Sequence, residues 1–249
     1  MVCTGRPNGG DRIAAPDFLS AVDLHKSFNG YQVVRGACFA IKRGEVLGLA
    51  GPNGSGKSTV LNLISGVIRP DRGTVQFRGL NITGLPPHRI AGLGITRTFQ
   101  LARPFLTMSV FENVLVARTA NKLKISALDR DRVHELLSLT GLIEKKDWDT
   151  SKLSSGALRR LEIARALATE PQLLLLDEPF ATLSIKEEAA LLDLLKDLNK
   201  KGMTLLLVSH RPRILRKLTH RVLVFESGKV KLEIKPEEVT LLSQEGVEL

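Results

Sequence analysis

The sequence predicts an α/β fold: a mostly parallel sheet with helices on both faces, an N-terminal antiparallel β region and an inserted α-helical subdomain. Three observations lead there. Beyond residue 157, apolar helices and short apolar strands alternate, which implies parallel strands joined by helical crossovers. From Phe18 to Phe77, short strand-like runs separated by Gly-bearing turns dominate. Between Gln100 and Leu153 the pattern is helical and too short for a core of its own, so it reads as an insertion.

Taken in order, residues 1–17 are rich in Gly, Pro and Asp without an apolar period and are expected to be a flexible tail. Strands are predicted at Phe18–Leu24, Val33–Ile41, Val46–Ala50 and Thr74–Phe77, with one helix beginning near Gly56 and running through Val60, Leu61, Leu63 and Ile64. In Arg132–Leu142, Val133, Leu136, Leu137 and Thr140 fall on one face of a 3.6-residue period. Helix Leu158–Ala168, strand Leu173–Leu176, helix Ile185–Lys200 stopped by Gly202, strand Thr204–Ser209 and strand Arg221–Phe225 with a Ser227-Gly228 turn complete the chain. Residues 18–249 therefore read as one domain, with 18–99 and 158–249 as its core and about 100–157 as the helical subdomain.

Composition excludes some functions. Cys3 and Cys38 match no metal-ligand or redox spacing and read as free thiols. The start, Met-Val-Cys-Thr-Gly-Arg, has no apolar leader, and no run approaches the roughly 18 apolar residues of a spanning helix. A cytoplasmic chain docked at a membrane by a partner fits both facts. The net charge of +10 invites a nucleic-acid reading, but aromatic residues are only 4%, so stacking platforms are scarce. The densest basic stretch, Arg211–Lys217, reads as a solvated helix face.

Gly51-Pro52-Asn53-Gly54-Ser55-Gly56-Lys57-Ser58-Thr59 carries the Gly-four residues-Gly-Lys-Ser/Thr phosphate loop. Its glycines let backbone N–H groups curl around phosphates, and the following helix points its positive end at them. Lys57 supplies a point charge to the β- and γ-phosphates, and the Ser58 hydroxyl suits Mg²⁺. A chance match is expected in roughly 1% of chains of this length, and a strand before with a helix after lowers that further. The leucine run that ends in Asp177-Glu178 places acids at the carboxyl end of a buried strand, where α/β sheets hold ligands. Asp177 would hold Mg²⁺ and Glu178 would polarise an attacking water. Together these make a P-loop NTPase core. Leu153-Ser154-Ser155-Gly156-Ala157 opens a helix, which is either an anion site or a plain N-cap.

These elements, with Gln100 after a strand, His210 at the end of another and Phe28 upstream of the phosphate loop, resemble the ATP-binding subunits of ABC transporters over about residues 18–245. Within that family the stretches Arg97–Gln100, Met108–Ala117 and Arg159–Thr169 look like the branched-chain amino acid transport group. The resemblance implies ATP and Mg²⁺ as ligands, with Ser58, Gln100 and Asp177 on the metal. It implies Glu178, His210, Gln100 and Lys57 as catalytic residues and Phe28 as the base-stacking aromatic. Such subunits pair head to tail, so Ser154 and Gly156 would serve the partner's nucleotide. A second ATPase, two permeases and, indirectly, a solute-binding protein are the implied partners. The implied location is peripheral, on the cytoplasmic face of the cell membrane.

Five positions, in three places, depart from the family pattern. Ser155 and Ala157 stand where Gly and Gln are usual. Thr182 and Ser184 replace a common Gly and an Asp or Asn, and Arg211 replaces an Asp. All are expected on surfaces that meet the partner ATPase, which favours a mixed pair. Two rival functions are a stand-alone ABC ATPase acting on ribosomes or nucleic acid, and a regulatory module that binds ATP with little turnover. One motif set and a short insertion oppose the first, and an intact Glu178 opposes the second.

Overall fold

The computed structural model describes residues 17–98, 104–120 and 124–239. The tail expected at 1–17 lies outside the described residues except for Asp17, and Gln100 lies wholly outside them. The chain forms two compact units, one from residues up to 90 and from 206 onward, the other from 91–205.

In the first unit, β1 (Leu19–Phe28), β2 (Tyr31–Ile41), β4 (Arg72–Phe77) and β5 (Leu80–Asn81) form an antiparallel sheet in the order β2-β1-β4-β5. Leu19, Ala21 and Leu24 are the buried positions along β1. The strand predicted to stop at Leu24 continues to Phe28. What looks like an ending is a bulge: the register against β2 shifts between Ala21 and Leu24, and Asp23 takes a left-handed φ of 52°. The following turn, Asn29-Gly30 with φ 49° and 80°, has the backbone of a tight hairpin.

Strand β3 (Val46–Ala50) is buried at every residue and runs parallel to β9 (Arg221–Glu226), from Leu47 opposite Arg221 to Ala50 opposite Val224. Strand β10 (Lys229–Ile234) returns antiparallel beside β9 through Ser227-Gly228. Helix α1 (Lys57–Ile64) follows β3. In α7 (Pro212–Leu218), Ile214, Leu215 and Leu218 are buried while Arg213, Arg216 and Lys217 face solvent. The basic stretch is a solvated helix face.

The second unit pairs β6 (Ile95–Arg97) parallel with β7 (Leu173–Asp177) and contains α3 (Val110–Thr119), α4 (Ala127–Leu139), α5 (Ser155–Ala168) and α6 (Ile185–Lys200). Helix α4 begins five residues before the predicted Arg132, because Ser126 and Asp129 form a capping box, and it ends before Gly141 with φ 66°. Buried Asn113 exchanges hydrogen bonds with Phe105 N (2.8 Å) and O (3.0 Å), fixing the loop that leads into α3. Helix α2 (Pro87–Gly92) and β8 (Thr204–Val208) lie where the chain passes from one unit to the other. The free-thiol reading fails at Cys38, which is disulfide-bonded. Sequence spacing carries no information on whether two sulfurs approach, since that depends on the path of the backbone between them.

Candidate functional site

In the first unit the site is built around the turn between β3 and α1. Gly51 has φ 133°, and a Cβ there would land on the Phe225 carbonyl oxygen of β9. Gly56, the N-cap of α1, has φ 103°, and its Cβ would lie 2.9 Å from Val33 O. No other residue type fits either place without moving backbone. The turn is braced from behind, since Gly228 N donates to Ser55 O at 3.1 Å and Gly228 O accepts from Arg35 N at 2.8 Å. This brace from the β9–β10 hairpin was missed by sequence reading, which saw only a turn.

No side chain caps α1 and no acid stands in its own first turn, so that turn adds no negative charge to the helix's positive end. Lys57 is buried, and its Nζ donates to Gly51 O (2.6 Å), Pro52 O (2.7 Å) and Ser55 Oγ (3.3 Å). The ammonium is held inside the turn by acceptors that an anion's oxygens can replace. Asn53, Gly54 and Ser58 are exposed and Thr59 is half-buried, so the outer lip of the turn faces solvent. Phe28, 44% exposed, ends β1 opposite Tyr31, itself 68% exposed, with Lys26 Nζ 5.7 Å above the Phe28 ring. Two aromatics thus mark one hairpin tip; Tyr31 was not singled out from the sequence. His210 follows β8 and is exposed, after Ser209 N has donated to Leu49 O at 3.2 Å.

Two groups singled out from the sequence lie in the second unit. At the end of β7, Asp177 is buried and receives a hydrogen bond from Arg97 at 2.8 Å, the partner strand supplying its counter-ion. Arg97 was noted only as part of a resemblance, because the pairing depends on the parallel register that sets Arg97 opposite Leu175. Glu178, half-buried, has φ 46°. A left-handed non-glycine at the mouth of a buried strand turns its side chain off the strand's line, at a conformational cost of order 1–2 kcal/mol.

At the start of α5, Ser154 is the N-cap and accepts from Ala157 N at 3.3 Å. Its hydroxyl and Gly156 N–H both donate to Glu187, a residue unmarked by sequence reading. The departures sort differently from expectation. Ala157 is fully buried, so its side chain is not on a surface that a partner could meet. Ser155 and Thr182 are exposed, and Thr182 has φ 62°, which explains why Gly is common there. Ser184 caps α6 through Glu187 N at 3.4 Å. Ser, Asp and Asn are all strong N-caps, so this change keeps the local chemistry.

Residues 34–181 match the family described as ABC transporter. The chain belongs to the ABC transporter ATPases. It is 36% identical over 236 residues to the high-affinity branched-chain amino acid transport ATP-binding protein LivG of Salmonella typhimurium, covering 89% of this chain and 92% of that one. It is 37% identical over 224 residues to the lipopolysaccharide export system ATP-binding protein LptB of Acidithiobacillus ferridurans, covering 90% and 92%. Among solved structures, the ADP conformation of MJ1267, an ATP-binding cassette of an ABC transporter, superposes with a TM-score of 0.83 at 29% identity, covering 94% and 97%. This ABC ATPase binds and hydrolyses ATP as a subunit of a transporter, alongside membrane permease components. No helix among its described residues is long and apolar enough to cross a membrane.

Proposed function

We propose that this ATPase powers import of branched-chain or related amino acids, as one member of a mixed ATPase pair on two permeases fed by a solute-binding protein. The carrying observation is the likeness to LivG along nearly the whole of both chains. Its place would be peripheral, on the cytoplasmic face of the membrane, with 18–249 acting as one catalytic domain and 100–157 as its helical insertion.

Lys57 and the N–H groups of Gly51 and Asn53–Thr59 bind and orient the phosphates, and Phe28 packs on the base. Glu178 accepts the proton of the attacking water, with Gln100 and His210 orienting that water and the γ-phosphate. Ser58 and Asp177, with Gln100, would hold Mg²⁺. A hydroxyl and a carboxylate are hard oxygen donors that suit this ion. When bound, the metal neutralises charge on the β- and γ-phosphate oxygens. Ser154 and Gly156 close on the nucleotide of the other subunit.

Deletion of this chain followed by uptake of radiolabelled leucine, isoleucine and valine tests the cargo. Loss of all three, restored by the wild-type chain and not by Glu178→Gln, is the expected result. Undiminished uptake with accumulation of lipopolysaccharide at the inner membrane would instead favour the export role named for LptB.

A further inference from the structure

Two donors at the start of α5 converge on one oxygen from a distant part of the second unit. Ser154 Oγ donates to Glu187 Oε1 at 3.1 Å, and Gly156 N–H donates to the same atom at 3.2 Å. The other oxygen, Oε2, accepts from Ser184 N at 3.1 Å and Ser184 Oγ at 2.8 Å. One carboxylate therefore divides its two oxygens between two helix N-termini.

The α6 half is an ordinary capping box, with Ser at the N-cap and Glu at N3. That motif needs one carboxylate oxygen. The second bridges 33 residues of sequence to Ser154, so local helix chemistry does not account for it. A Cβ on Gly156 would overlap the Glu187 carboxylate, and glycine is what lets the carboxylate approach the turn. Hydrogen bonds from the Ser184 side chain and backbone, then from Ser154 and Gly156, hold the Glu187 carboxyl below the usual carboxylate range, so it is an anion at neutral pH.

We propose that Glu187 is a latch on the Ser154–Gly156 turn: its Oε1 stands in for a nucleotide phosphate oxygen and must leave before that phosphate is received. The proposal rests on the reading of this turn as the anion site for another subunit's nucleotide. A carboxylate and a phosphate compete for the same hydroxyl and N–H, so binding of one displaces the other. The Ser184 donors are separate, so α6 keeps a capping partner when Oε1 withdraws. Glu187 is a positioning residue in this scheme: it sets when the turn is available and touches no reacting atom.

The test is a titration of the full-length ¹⁵N-labelled chain with inorganic phosphate, following the Gly156 amide, with the Gly54 and Gly56 amides of the phosphate loop as an internal standard. Glu187→Gln keeps a residue that completes a capping box. Glu187→Asp keeps the charge but shortens the reach. Thermal melts identify any variant that fails to fold, and the two variants cover each other. Charge-assisted hydrogen bonds are about twice as strong as neutral ones, so the Gly156 midpoint should fall about tenfold in either variant while the Gly54 and Gly56 midpoints stay put. Adding Ser154→Ala should weaken the new response. Equal Gly156 midpoints in wild type and variants would overturn the latch while leaving the turn an anion site. No Gly156 response in any chain, with Gly54 and Gly56 saturated, would remove the anion site and the latch together.

Discussion

At the scale of single residues, the proposed roles separate groups that bind from a group that reacts. Lys57 is already desolvated and held by Gly51 O, Pro52 O and Ser55 Oγ, so a phosphate meets a positioned ammonium. Lys57→Ala deletes a charge-assisted contact worth about 1.5–3 kcal/mol and should weaken ATP binding by one to two decades. Phe28→Ala should cost less, because Tyr31 stands across the hairpin and shares the apolar surface. Calorimetric titration with ATP decides the order; a larger loss for Phe28→Ala would contradict a phosphate-dominated site. Glu178→Gln preserves shape but cannot accept a proton. A positioned base contributes roughly 10²–10⁴ in rate, so turnover should drop by at least about 100-fold with ATP affinity retained. Steady-state phosphate release near the wild-type rate would take Glu178 out of the chemistry.

At the scale of elements, two local features carry measurable energy. Strands β6 and β7 bury an Arg97–Asp177 ion pair. Arg97→Leu leaves a buried carboxylate deprived of this counter-ion, and breaking such a pair by removing one partner costs about 3–5 kcal/mol. Chemical denaturation should show a large loss, and a loss under about 1 kcal/mol would mean other groups hold Asp177. The loop from β7 to α6 stores strain at Thr182, a β-branched residue at φ 62°. Relief of a left-handed conformation gains about 1–2 kcal/mol, against about 0.4–1 kcal/mol of added chain entropy for glycine in the unfolded state. Thr182→Gly should therefore leave the melting temperature unchanged or raise it. A clear fall would show that the threonine side chain contributes packing that outweighs its backbone.

At the scale of the molecule, the chain carries one set of motifs, and the proposed pairing would complete its site with a second subunit. Ala157 is fully buried, so the proposed mixed pair rests on the exposed departures Ser155 and Thr182. The isolated chain should be mostly monomeric and slow. Addition of the second ATPase and the permease pair should raise turnover well beyond the sum of the parts. Sedimentation with ATP, using Glu178→Gln to block hydrolysis, checks the first statement; a stable homodimer at micromolar concentration would sink the mixed-pair reading.

The sequence by itself determined the phosphate loop, the acid pair at the end of β7 and the order of strands and helices, because each is written in local chemistry: glycines at a turn, a run of leucines, a 3.6-residue period. Helix α6 and strand β3 fall on their predicted bounds for the same reason, with a capping serine or a fully apolar run to mark them. Only the tertiary structure decided that Leu24 sits in a bulge and not at a strand end, since a bulge is defined by register against β2. It also decided that Ala157 points inward, that Arg97 faces Asp177 and that Glu187 reaches Ser154 and Gly156. Those contacts join residues tens of positions apart. Nothing in a local pattern encodes the distance between two side chains until the backbone between them has been placed.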